Sequence, residues 1–133
     1  MENSLIKYSY KNGSGNLKEM VYANGDKMTA TYNGRGQMIA ERWVNKENLL
    51  IAYYKYTYDY DGNIVRSVDI LNSKEYNYTY EGEKLVRATE NLVLIDENGF
   101  VTYKSPYCTQ NYYYNNEQNL VKKVVKFANA TER

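Results

Sequence analysis

Histidine is absent from the 133 residues. That removes the commonest general acid–base and the commonest nitrogen ligand for metals. The single cysteine, Cys108, excludes an internal disulfide and a thiolate metal cluster. With no histidine to activate it, it reads as an inert thiol rather than a nucleophile. No apolar run is long enough to span a bilayer, and Met1 to Tyr10 has no signal-peptide core. An export signal, if there is one, is expected elsewhere, on a longer parent chain. Charge of one sign is missing too: 17 basic and 16 acidic side chains are interspersed for a net charge of +1. No basic stripe points to nucleic acid. Lys122, Lys123 and Lys126 read as lysines guarding a strand edge rather than as a phosphate site.

Tyrosine is abundant, at 17 against one Trp and two Phe. A mean hydropathy of −0.77 would suit a disordered chain, but disordered chains lack aromatic and β-branched residues, and this one is rich in them. Tyrosine fits a pleated, half-buried surface, ring packed and hydroxyl reaching out. The stretch Tyr54 to Glu90 says nearly the same thing twice. Tyr54-Lys-Tyr-Thr-Tyr-Asp-Tyr-Asp-Gly-Asn-Ile-Val-Arg is followed by Tyr76-Asn-Tyr-Thr-Tyr-Glu-Gly-Glu-Lys-Leu-Val-Arg. Strand side chains alternate faces, so Tyr54, Tyr56 and Tyr58 share one face, as do Tyr76, Tyr78 and Tyr80.

The same phrase recurs more loosely along the chain. The last tyrosines before each turn, Tyr10, Tyr32, Tyr58, Tyr80 and Tyr114, are 22, 26, 22 and 34 residues apart. That period fits one hairpin per repeat, with an insertion between Asn91 and Gln110. Asn24-Gly25, Asn45 to Asn48, Leu71 to Lys74 and Asp96 to Gly99 mark turns on the opposite edge. Strands are expected near 5–10, 17–22, 27–32, 38–44, 49–58, 64–70, 75–80, 85–94, 100–104, 110–114 and 120–127. Gln37 to Asn48 has some helix formers but occupies a strand slot of its repeat. Pro106 predicts a loop or bulged edge over 104–109, and the tail from Ala128 carries no pattern and is expected to fray. The fold class expected is all-β: one domain over 1–133, a curved meander of antiparallel hairpins with ten or eleven strands. The repeats fall near 8–28, 29–53, 54–75, 76–100 and 101–127.

Few residues carry a chemical pattern. Asp59, Asp61 and Asn63 begin like a calcium loop, but the glycine and glutamate such a loop needs are replaced by Ile64 and Ile70. These residues are also what a tight turn uses for its own backbone. Arg66 and Arg87 recur at one repeat position and are expected to pair with a cross-strand acid such as Asp69 or Glu90. No two carboxylates suggest a hydrolytic pair. Asn12-Gly-Ser, Asn77-Tyr-Thr and Asn129-Ala-Thr match the glycosylation sequon, as an asparagine-rich chain does by chance. No catalytic, cofactor or metal residue is assigned, and the chain is expected not to be an enzyme. Tyr54, Tyr56, Tyr76 and Tyr78 offer one binding use, as an aromatic platform for sugar rings. The competing and favoured reading is a cross-strand aromatic ladder that holds the hairpins together.

The Tyr-x-Tyr-Asp-x-x-Gly-Asn-Ile pattern of Tyr56 to Ile64, with looser copies at Tyr10, Tyr32, Tyr80 and Tyr114, resembles the YD repeat of rearrangement-hotspot (Rhs) and teneurin-type proteins. The resemblance spans roughly Tyr8 to Phe127. It implies a segment of a long β-strip that, in toxin-bearing members, spirals into a shell around a C-terminal toxin. The Pro-, Gly- and Asp-rich segment through which such shells self-cleave has no counterpart here, so protease activity is not carried over. The implied protein is bacterial, secreted or surface-anchored, with neighbouring repeats or copies of itself at its sheet edges as partners. Glycans are the alternative partner, and neither nucleic acid nor membrane insertion is expected.

Overall fold

A computed structural model describes residues 5–11 and 17–128, with side chains from Lys18 onward. The expected turn at 12–16 and the end of the tail, 129–133, lie outside the described residues. Ten strands follow one another: β1 (Leu5–Lys11), β2 (Leu17–Tyr22), β3 (Lys27–Tyr32), β4 (Met38–Val44), β5 (Leu50–Tyr58), β6 (Ile64–Asp69), β7 (Lys74–Glu81), β8 (Lys84–Ile95), β9 (Val101–Tyr114) and β10 (Leu120–Phe127). No helix occurs among the described residues, and Met38–Val44 is a strand despite its helix formers. The chain is all-β. It forms two compact units, Met1–Tyr56 with Asp69–Leu71, and Thr57–Val68 with Asn72–Arg133. Within each, strand order follows chain order and the pairs given a register are antiparallel.

One turn design recurs. In Tyr22–Asp26, Asn33–Gln37, Asn45–Leu49, Asp59–Asn63, Asp96–Phe100 and Asn115–Asn119, the first N–H donates to the fifth carbonyl and the fourth N–H to the first carbonyl. The fourth residue has positive φ in every case: Gly25, Gly36, Asn48, Gly62, Gly99 and Gln118. This is a type I turn closed by a left-handed residue, which feeds a bulge into the next strand. In five of the six turns the first residue is Asn or Asp, and its Oδ1 accepts from the third and fifth N–H groups. The Asn24-Gly25 signal therefore marks a five-residue turn with positive φ at Gly25 alone, not a two-residue one. The Glu81–Lys84 connection differs, with two residues at its tip and Gly82 at φ 63.

The apolar core is thin. Met28, Ala30 and Val44 are buried in the first unit, and Val68, Val93 and Cys108 in the second, where a charged residue, Glu75, is wholly buried as well. Period-2 alternation accounts for the placement: Met28 and Ala30 face the same way from β3, opposite Trp43 and Glu41 of β4.

The expectation for 100–114 needs correcting. The two short strands and the loop between them are one 14-residue strand, β9. Glu90 faces Cys108 while Asn91 faces Pro106, so Tyr107 is an extra residue bulged out of the ladder. Pro106 is tolerated there because β10 pairs only with Cys108 to Tyr114, which leaves 101–106 with β8 as their one partner strand among the described residues. The interval of 34 residues between Tyr80 and Tyr114 reflects two long strands, β8 and β9, rather than a loop insertion.

Candidate functional site

The four tyrosines singled out by the sequence are half-buried. In the first unit Tyr54 and Tyr56 stack along β5 with ring centroids 6.4 Å apart. In the second, Tyr76 and Tyr78 stack along β7 at 6.5 Å. The hydroxyls of Tyr56 and Tyr78, and of Tyr80 and Tyr114 further along, meet the framework. Tyr56 donates to Glu41 Oε1 at 2.7 Å, and Glu41 Oε2 accepts from Trp43 Nε1 at 2.8 Å. Tyr78 lies 3.3 Å from the Ser67 hydroxyl, Tyr80 donates to the Ile64 carbonyl, and Tyr114 donates to the Leu85 carbonyl. A groove of about 630 Å³ lies in the second unit, lined by Thr79, Lys84, Arg87, Asn111, Tyr113 and their neighbours. None of the four predicted tyrosines lines it.

Sequence reasoning missed the most constrained polar site, Glu75. Alternation puts Glu75, Asn77 and Thr79 on the face of β7 opposite the tyrosines. Register then sets Asn91 of β8 directly across from Glu75. Arg66 comes from β6, and Lys104 from β9, where it faces Val93. The Glu75 carboxylate is fully occupied: Oε2 accepts from Arg66 Nε at 2.5 Å and from Lys104 Nζ at 3.0 Å, and Oε1 from Asn91 at 2.9 Å and Asn77 at 3.1 Å. Burial pushes the carboxyl up, but the hydrogen bonds of Arg66, Asn91, Lys104 and Asn77 outweigh it and bring the pKa down to about 2. Glu75 is therefore an ion at any ordinary pH.

The arginine pairing expected from sequence is corrected by the same geometry. Arg66 meets Glu75 rather than Asp69, and Arg87 donates to Asn111 Oδ1 at 3.1 Å rather than to Glu90. Glu90 pairs with Lys74 at 3.6 Å. A strand residue reaches the neighbouring strand, and the register that decides which neighbour it meets is not written in its own repeat.

Asp59 acts within its own turn. Its Oδ1 accepts from the Asp61 and Asn63 N–H groups, each at 2.9 Å, and backbone hydrogen bonding from Asn63 leads in lowering its pKa. Among the described residues no group of three acids or cysteines stands close enough to hold a metal ion. Cys108 is buried, with Sγ 3.8 Å from Glu90 Oε1. Burial, and then the charge and hydrogen bond of Glu90, push the thiol up, so it stays protonated and weakly nucleophilic.

Fold and site together define an all-β meander of antiparallel hairpins built on one repeated turn, with tyrosine ladders and one buried ionic hub. In comparison with known proteins, no family model and no curated protein matches the chain. The likeness to YD repeats therefore stands on the motif residues themselves.

Proposed function

We propose that this chain is a non-catalytic structural module: a stretch of YD-repeat β-sheet belonging to a large secreted or cell-surface Rhs-type protein. One observation carries the reading. The same five-residue turn, with an Asx first residue in five copies and a left-handed fourth residue in all six, is used again and again to return the chain. A chain that repeats one hairpin is built to extend a sheet, not to shape one unique pocket. The four tyrosines support the reading through their half-burial and stacking, and Tyr56 and Tyr78 also through hydroxyl contacts to Glu41 and Ser67, which spend those groups on the sheet itself. Two edges are available for extension. Among the described residues β1 pairs only with β2, and β10 only with β9.

Calorimetric titration with a panel of neutral and acidic oligosaccharides tests the proposal against the adhesion alternative. The scaffold reading expects no saturable heat for any of them. Saturable binding abolished by Tyr76→Ala or Tyr78→Ala, in a variant that still folds, would move the assignment to a carbohydrate-binding module.

A further inference from the structure

Several lysines inside the sheet meet acids from other strands. Lys27 of β3 lies 3.6 Å from Glu19 of β2, and Lys74 of β7 lies 3.6 Å from Glu90 of β8. Lys104 of β9 reaches Glu75 of β7 at 3.0 Å. On the last strand the chemistry changes. β10 carries Lys122, Lys123 and Lys126 and no acid. From Asn98 to Phe127 the sequence holds a single acid, Glu117, in the turn that precedes β10. Lys122 and Lys123 rest over the rings of Tyr113 and Tyr112, 5.6 and 5.9 Å from the centroids. Such contacts are weak at an exposed site and leave the amines able to swing to a carboxylate brought beside them. β10 is also bare on both faces. All of its side chains are exposed, among them Leu120, Val121, Val124, Val125 and Phe127.

We propose that the β10 edge takes up an antiparallel strand of another polypeptide, acidic opposite Lys122, Lys123 and Lys126 and apolar opposite Val124, Val125 and Phe127. Among the described residues β10 pairs only with β9, so its outer backbone edge is open to a further strand. The register with β9 sets Lys122, Val124 and Lys126 on one face and Lys123, Val125 and Phe127 on the other. The partner strand therefore needs carboxylates on both of its faces, each across from an amine. A second copy of this chain does not offer that from its terminal strands. β10 itself is cationic, and β1 has Lys7 and Lys11 and no acid. Like charges directly opposite make pairing of two copies through these edges the weaker event. Backbone pairing supplies the affinity, and the cross-strand charge pairs select the partner. This partner belongs with the scaffold reading, in which edges exist to be extended, but its failure would leave the repeated turns and the sugar titration as they stand.

The test is fluorescence anisotropy of short labelled peptides, titrated with this chain at concentrations where sedimentation finds monomer. One peptide carries glutamate and valine in the pattern above, between neutral flanks. The expected result is saturable binding that weakens as salt is raised. A second peptide, with lysine in place of each glutamate, binds more weakly by about tenfold or more. The variant Lys122→Glu, Lys123→Glu, Lys126→Glu, changed only at exposed positions, reverses that order and prefers the lysine peptide. An acidic peptide N-methylated at alternate residues keeps its charge but cannot pair, and it does not bind. Equal binding of the acidic and lysine peptides makes the lysines guards of the edge and nothing more, and overturns the proposal. So does binding of the N-methylated peptide, or equally tight binding of a single-stranded DNA of matching length, since either marks attraction to charge without strand pairing. Absence of binding by the acidic peptide overturns it too.

Discussion

The two copies of the tyrosine hairpin differ most at one position. Aligning Tyr54 with Tyr76 places Tyr53 of β5 at the same point as Glu75 of β7. In each copy an arginine from the preceding strand meets that residue. Arg42 lies over the Tyr53 ring at 6.0 Å in the first unit, and Arg66 binds the Glu75 carboxylate in the second. One copy solves the position with a half-buried aromatic and a cation on its face, at modest electrostatic stakes. The other buries a full charge and must surround it with two cations and two amides. Tyrosine spacing sets the hairpin, and the face behind the tyrosines is where each copy becomes individual.

This contrast is broken or sharpened most strongly at Glu75 itself. Glu75→Ala removes the wholly buried carboxylate and all four hydrogen bonds made to it, at an expected cost of about 3–5 kcal/mol. Tyr53→Ala, at the matching point, loses a half-buried ring and costs about 2 kcal/mol. Urea unfolding of both variants measures the difference, and equal costs would erase it.

Acid gives the next largest effect. Glu75 has a folded pKa depressed to about 2 from an ordinary 4.5. Its contribution is therefore fully present above about pH 4.5 and is lost as pH falls from there through about 2. Glu75→Gln should flatten the pH dependence across that window. A wild-type stability curve that stays level there would mean the carboxylate is not held as the geometry shows.

Turns offer smaller, cleaner comparisons. Gly25 and Gly36 both hold a left-handed fourth position, but a Cβ on Gly25 would stand 2.6 Å from Lys46 Cβ, whereas nothing lies near one on Gly36. Gly36→Ala should cost about 1 kcal/mol for the backbone alone, and Gly25→Ala clearly more. Gln118 and Asn48 hold the same position at φ 69 without being glycine. Gln118→Gly should raise stability by about 0.5 kcal/mol, while Asn48→Gly changes it less, because asparagine tolerates the left-handed region. Thermal unfolding resolves both pairs.

Strands and turns were legible because their signals are local: alternation has a period of two, and each turn is written in a handful of Asn, Asp and Gly residues. The continuity of β9 was not, because Pro106 suppresses a strand reading and only the register with β8 reveals the bulge that accommodates it. Glu75 was hidden for a related reason. Its partners are Arg66, Asn91 and Lys104, far apart in the chain, and they converge only through the pairing of four strands. One signal was present in the sequence. The matching residue in the other copy is Tyr53, and an aromatic at that point marks a position that packs.

Sedimentation equilibrium of the purified chain over a wide concentration range tests the scaffold account most directly. β10 exposes Leu120, Val121, Val124, Val125 and Phe127 beside an edge with no further partner strand among the described residues. Such an edge invites another strand, and three lysines restrain it only in part. The account predicts reversible association that grows with concentration and weakens at least tenfold in a Val121→Lys, Val125→Lys variant. A chain that stays monomeric at every concentration, with these edges bare, would contradict it.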